Sequence, residues 1–214
     1  MTPWRDELRE SDRYAVRRLV EATGFFCPEE QEIAVELVEE TLGQGKASGY
    51  EFLFLDSVTT PDELQGYTCF GPIPSRPGSY DLYWIAVAPA QHRHGLGRRL
   101  LEETERRALA RGATEMFIDT AGRAQYLPTR SFYERMDYQI FEIVPDFYAP
   151  GDDKVVYRKT LRAEPGQVRS GKDNRKLHAQ HQDGGDNCAQ HDATTPAQDA
   201  FRVVDAGNEG RHRE

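Results

Sequence analysis

Gln91-His92-Arg93-His94-Gly95-Leu96-Gly97-Arg98-Arg99 lies between an apolar run, Leu82 to Ala88, and a helix-like run, Leu96 to Arg111. A strand that turns through glycines into a helix aims backbone N–H groups at whatever sits above the turn. The helix start adds partial positive charge there, and such a place binds phosphate. Five basic or potentially basic side chains fall between His92 and Arg99, in a chain whose formal net charge is −9.

Reading outward, Trp4 to Arg9 forms a weak first strand. Ser11 or Asp12 can cap a helix with Ala15, Val16, Leu19 and Val20 on its apolar face, ending at Gly24. Pro28-Glu29-Glu30 opens a second helix, with Ile33, Ala34, Leu37, Val38, Thr41 and Leu42 as its stripe. Tyr50 to Leu55 and Gln65 to Phe70 read as strands around a Thr-Thr-Pro-Asp turn. Tyr80 to Ala88 is uniformly apolar after Asp81, which marks a central strand. Gly112 stops the helix that follows the glycine turn. Thr114 to Thr120 is a strand and Tyr126 to Met136 a shorter helix. Gln139 to Val144 and Lys154 to Leu161 are the last strands, separated by a loop, Pro145 to Asp153. The order β, α, α, β, β, β, α, β, α, β, β predicts an α/β (α+β) fold, a mixed central sheet with helices on both faces.

Composition divides the 214 residues. Residues 2–162 make one domain of comfortable size. Residues 163–214 contain one aromatic, Phe201, and read as a disordered polar tail. A short helix near Ala197 to Val204 and a metal role for His178, His181, His191 and His212 are weaker readings, since the histidine spacing fits no tight site. The tail holds seven Lys/Arg and nine Asp/Glu, which leaves the body at a net −7. That balance argues against nucleic-acid binding and favours a cationic substrate. Cys27, Cys69 and Cys188, without a CxxC pair, suggest a reducing compartment and no structural metal. No run approaches membrane-spanning length and the start lacks a signal peptide, so a soluble cytoplasmic protein is expected.

The glycine turn is neither a triphosphate P-loop, since GxxxxGK[ST] is absent, nor a dinucleotide fingerprint, whose third glycine would fall at Leu100. A second motif follows at Phe132-Tyr133-Glu134-Arg135-Met136-Asp137-Tyr138. With Ile85-Ala86-Val87-Ala88-Pro89 leading into His92-Arg93-His94-Gly95-Leu96-Gly97, the chain from Trp4 to Leu161 resembles the GNAT N-acetyltransferase superfamily. That family's acetyl-CoA loop reads Gln/Arg-x-x-Gly-x-Gly/Ala, and its later helix carries Phe-Tyr-Glu-x-x-Gly-Phe/Tyr. Three positions depart from it: His92 stands for Gln or Arg, Tyr126 for a cofactor-contacting Asn, and Asp137 for the helix-ending Gly.

The resemblance implies acetyl-CoA as co-substrate and no metal. It implies a diphosphate held by the backbone from Arg93 through His94, Gly95, Leu96 and Gly97 to Arg98, with the pantetheine arm along Ile85 to Val87. A backbone N–H near Val87 would stabilise the oxyanion. Arg93, His94, Arg98 and Arg99 would attract the phosphates; for Arg99 a solvated helix start fits as well. Tyr133 is the implied acid for the departing thiolate. For the base, Asp119 matches a glutamate of some N-terminal amino-acid acetyltransferases, with Asp81 or a water chain as competitors. Phe25, Phe26 and the loop Pro145 to Asp153 border the implied acceptor groove. Asp146, Asp152 and Asp153 could hold a cationic or amino-acid-like acceptor, and Arg123, Arg130 or Lys154 an acceptor carboxylate. The expected function is direct acetyl transfer in a ternary complex to a primary amine of a small amino-acid-like molecule. A protein N-terminal acetyltransferase and a non-catalytic acyl-CoA-binding regulator are the alternatives, and a protein working through its tail is a third. The superfamily's frequent dimers allow a homodimer.

Overall fold

The computed structural model describes residues 4–162. The expected tail, with its four histidines, its short helix and Cys188, lies outside the described residues. The elements are β1 (Trp4–Arg5), α1 (Asp12–Thr23), α2 (Pro28–Gln44), β2 (Glu51–Asp56), β3 (Leu64–Pro72), β4 (Ser79–Val87), α3 (Leu96–Ala110), β5 (Glu115–Ala121), α4 (Leu127–Arg135), β6 (Gln139–Ala149) and β7 (Asp152–Thr160). They build one seven-stranded sheet in the order β1-β2-β3-β4-β5-β7-β6. Every neighbouring pair is antiparallel except β4 and β5.

The two sheet faces carry separate cores. Leu82, Ile85 and Val87 of β4 pack with Leu96, Leu100 and Leu101 of α3 and with Phe132 and Tyr133 of α4. Tyr83, Trp84 and Ala86 pack with Val16, Leu19 and Val20 of α1 and with Ala34, Leu37 and Val38 of α2. A strand normally alternates faces. Here Tyr83 and Trp84 share one, because the register slips between Cys69 and Phe70 of β3 and leaves an extra residue on β4. This bulge is invisible in a uniformly apolar run.

Local chemistry explains most element ends. Gly24 closes α1 in the left-handed region, φ 65°. Pro28 opens α2, and the Glu30 carboxylate accepts the Cys27 N–H at 2.8 Å as a capping box. Three expectations need correction. The first strand is only Trp4–Arg5, because the Arg5 guanidinium turns inward to the buried Asp12 (2.8 Å) and to Asp56 (2.9 Å). Neither Ser11 nor Asp12 is a side-chain cap: Asp12 is the first helical residue and its carboxylate is spent on Arg5 and the Arg9 N–H. The expected loop Pro145 to Asp153 is mostly strand. β6 runs on to Ala149, with an irregular stretch between the pairs Val144↔Lys154 and Ala149↔Asp152, and the reversal is tight at Gly151, φ 80°. Asp153 accepts the Asp146 N–H (3.0 Å) and Asp146 accepts the Gly151 N–H (2.6 Å), so side chains that resemble loop polarity stitch a hairpin.

Gly71 of β3 gives a sharp test of this packing. A methyl group there would run into the Gly49 carbonyl oxygen and lie 3.3 Å from the Tyr83 ring. Gly43 in α2 faces open space. Gly71→Ala is expected to destabilise by about 1–3 kcal/mol, and Gly43→Ala to stabilise by up to about 1 kcal/mol. Denaturant midpoints at unchanged m-value check both signs.

Candidate active site

β4 gives way at Pro89–Gln91 to a single 3-10 turn. The His92 ring then reaches back, with Nε2 3.0 Å from the Val87 carbonyl oxygen. This fixes the turn on the strand that it leaves, the work of a side chain that departs from the family pattern. Arg93 (φ 63°) and Gly95 (φ 72°) both take left-handed backbone, and Gly95 is the N-cap of α3. A non-glycine residue in that region costs about 1–2 kcal/mol. The N–H groups of Leu96, Gly97 and Arg98 have no helical acceptor at this end. They border a cavity of about 540 Å³ with Gln91 and Arg93, and its opposite wall is Phe132, Arg135 and Met136 of α4. Arg135 was missed in the sequence because the motif around it draws attention to Tyr133. Arg98 pairs with Glu102 at 2.7 Å and is largely exposed. Arg99 leans towards the Trp4 ring, 5.9 Å away, and does not line the cavity.

Below this turn the sheet opens. β4 and β5 share only three ladder pairs, Ser79↔Glu115, Tyr80↔Met116 and Asp81↔Phe117. Beyond them β4 continues to Val87 and β5 to Ala121 without pairing. Ile85 and Val87 point their side chains into the α3 core, so these two residues offer the gap backbone only. From Leu82 to Val87 the gap is about 17 Å long, at the usual strand rise. An extended polar arm can add there as a strand would, with the glycine turn at one end and Asp81 at the vertex.

Tyr133 is fully buried on the α3/α4 face. Its ring packs against Tyr138 (5.9 Å), Tyr157 (5.8 Å) and Phe132 (5.4 Å). The Tyr138 N–H and the Met136 N–H both bond its carbonyl. Asp137 takes the left-handed backbone, φ 66°, that a glycine would take at the helix end. On the opposite face, Asp81 at the vertex alternates with Tyr80 and Leu82, and Asp119 lies two residues beyond its ladder partner Phe117. Burial, then the Asp119 charge, pushes the Asp81 carboxyl up to about 7, with Lys154 opposing. Lys154 holds Asp119 at 2.8 Å and sits 4.7 Å from the Phe147 ring centre. The structure therefore brings both candidate bases to one place and gives one of them a cation.

Walls form around the carboxylates. Phe25, from the α1–α2 connection, meets Tyr126 edge-on at 5.0 Å, and Arg123 lies 5.2 Å from the Tyr126 ring. Tyr126 is thus buried in the α1/α2-side cluster, away from the Tyr133 face. Phe26 is buried against Trp84 at 4.8 Å, and Tyr148 of β6 joins the same cluster. Several expected acceptor ligands are committed elsewhere. Arg130 donates to the carbonyls of Ala121 (2.9 Å), Gly122 (2.6 Å) and Arg123 (3.2 Å), clamping the chain that leaves β5. Asp152 is buried and takes the Arg123 side chain at 3.6 Å. Asp146 and Asp153 are hairpin stitches, as above.

The model of the acetyltransferase (GNAT) family matches residues 21–138. The chain belongs to the GNAT acetyltransferase family. A solved structure assigned to this family from Desulfovibrio desulfuricans is 45% identical, with TM-score 0.71, over 74% of this chain and 98% of that one. An aminoglycoside 6′-N-acetyltransferase bound to coenzyme A is 19% identical, TM-score 0.59, over 76% and 98% of the two chains. The ribosomal-protein-S18-alanine N-acetyltransferase of Escherichia coli is 18% identical, TM-score 0.58, over 79% and 100%. The last two share the fold alone. No curated protein sequence matches the chain.

As a GNAT enzyme the protein is an acyltransferase that draws on acetyl-CoA. Among the described residues no helix is long and apolar enough to cross a membrane. The raised Asp81 pKa also bears on stability. Its neutral form is favoured by folding, so its contribution is complete below the ordinary value of 3.8 and is lost as pH rises through about 7. Asp81→Asn is therefore expected to match the native GNAT domain near pH 4. At pH 8 it should be more stable, by on the order of 1–4 kcal/mol. Thermal melts across that range check this; a pH-independent offset would refute it.

Proposed function

We propose that this enzyme transfers the acetyl group of acetyl-CoA directly to the primary amine of a small amino-acid-like molecule, within a ternary complex. The observation that carries the reading is the parting of β4 and β5 between a phosphate-type turn and a pair of carboxylates. The diphosphate is gripped by the backbone from Arg93 to Arg98, and the pantetheine arm runs back along Ile85 to Val87. This brings the thioester towards the vertex. The amine approaches from the opposite face, where Asp81 takes its proton. Asp119 stays the second candidate base, but Lys154 already engages it at 2.8 Å, whereas a carboxyl that titrates near 7 suits proton acceptance at working pH. The neutral amine attacks the acetyl carbon. The C–N bond forms and the C–S bond breaks; the Tyr133 phenol supplies the thiolate's proton and is restored by the second proton that the nitrogen sheds on becoming an amide. Neither Cys27 nor Cys69 lies in either motif, so no acetyl-enzyme is invoked.

The acceptor side supports a small molecule. Phe25, Tyr126 and Tyr148 narrow the opening, and carboxylates beside Lys154 suit a group carrying both an ammonium and a carboxylate. Thiol release measured with amino acids, diamines, aminoglycosides and short peptides tests the reading. Turnover is expected with an amino-acid-like amine. A peptide N-terminus used in its place would move the assignment to a protein acceptor, and tight acetyl-CoA binding without turnover would leave a regulator. With the active amine, Tyr133→Phe should lower kcat by about 10²–10⁴ and leave acetyl-CoA affinity within about threefold. The rise of kcat/KM through about pH 7 should disappear in Asp81→Asn. Its survival there would return the base to Asp119 or to water.

A further inference from the structure

The cavity at the start of α3 has a second wall that no motif describes. Arg135 stands in the last turn of α4 and faces Arg93 and the α3 amides across about 540 Å³. It is exposed, and among the described residues it stands in no ion pair. Its neighbour Glu134 accepts the Tyr157 hydroxyl at 3.1 Å, and Glu102, which could compensate the cavity, is taken by Arg98. In a chain of net charge −9, guanidinium groups on two sides of one cavity, unpaired among the described residues, are unusual company.

Coenzyme A carries two kinds of phosphate. The diphosphate oxygens suit the fixed amide dipoles of a helix start, an effect confined to the first turn. The 3′-phosphate is a monoester with a charge of about −1.5 to −2 at pH 7. It needs full counter-charges with several donors, which a planar guanidinium offers and a distant helix end does not. We infer that Arg135 is the residue that reads the 3′-phosphate of acetyl-CoA, with the amides of α3 left to the diphosphate. This rests on the cofactor placement proposed above. The competing role for Arg135 is a plain one: a cation at a helix C-terminus is favourable by itself.

Calorimetry on the full chain with coenzyme A and with 3′-dephospho-coenzyme A separates these roles. Arg135→Gln is expected to weaken coenzyme A binding about tenfold or more and to leave 3′-dephospho-coenzyme A unchanged. The native protein should prefer coenzyme A by a similar factor, and Arg135→Lys should retain part of that preference. Arg106→Gln removes the same charge from the exposed side of α3, where Arg106 pairs with Glu103, and should affect neither ligand. Equal weakening of both ligands in Arg135→Gln, or weakening of coenzyme A in Arg106→Gln, would overturn the assignment in favour of a general field. Unchanged affinity for both would leave only the helix-end charge. If the folded native protein bound neither ligand, the cofactor placement itself would fall.

Discussion

The constraint on which the molecule turns is the early divorce of β4 from β5. Three ladder pairs join them, and then two strands that are buried on both flanks stop bonding each other. Backbone N–H and C=O groups left without partners in such a place are costly. A sheet tolerates this when something regularly adds to the exposed edge, and an extended polar arm does so with the same hydrogen bonds that a strand would make. The bulge at Tyr83 belongs to the same device. Bulges increase local twist and bend the strand that carries them, and this one sits beside the last shared pair. The gap is therefore built into the register of β3 and β4, not left over from poor packing. The two cores on either side hold it open: α3 and α4 grip one face, α1 and α2 the other.

Much of this was legible in the residues. Uniform apolarity from Leu82 onward marks a strand covered on both faces, and Gly95 at left-handed φ is what Gly-x-Gly after a strand promises. The helix ends at Gly24 and the start at Pro28 follow from side-chain-independent backbone rules, so they could be read directly. The failures have a common cause. Asp12, Asp146, Asp152, Asp153 and Arg130 are polar residues whose partners belong to a neighbouring strand, turn or connection and follow no helix or strand period. Composition labels them as caps, loop or ligand; only the fold shows that Asp12 belongs to Arg5 and Arg130 to three carbonyls at the end of β5 and just beyond it. The strand between Val144 and Ala149 was hidden for a related reason. Proline and aspartate depress strand propensity, and the hydrogen bonds that hold the hairpin there come from side chains.

The site shows the same division. Tyr133 and the glycine turn are local motifs and could be named as candidates from the residues. What surrounds them was not. The triplet of Tyr133, Tyr138 and Tyr157 and the pairing of Asp119 with Lys154 depend on the sheet order β5-β7-β6, which puts the last strand of the chain beside the fifth. Asp81 could be named from sequence only as a polar residue at the start of an apolar strand. Its altered proton affinity comes from being at the vertex, enclosed, with a second carboxylate on the next strand.

These charges also suggest how the two substrates are told apart. The turn at the far end of β4 is rich in arginine and in helix-start amides, while the vertex on the other face holds carboxylates. On the proposed reading, a polyanionic thioester and a cationic amine are drawn to opposite ends and opposite faces of one gap. A protein of net −9 needs the first attraction to be local, because its overall field opposes an anion; steep distance dependence under physiological screening makes a local cluster sufficient. The reaction then removes the reason for one of the attractions. In the reaction proposed above, acetylation turns an ammonium into a neutral amide, which carboxylates at the vertex would hold less well than the substrate. Release of the acetylated product would then be favoured by the change that made it. The spent coenzyme A keeps its phosphates, so its grip on the turn is undiminished.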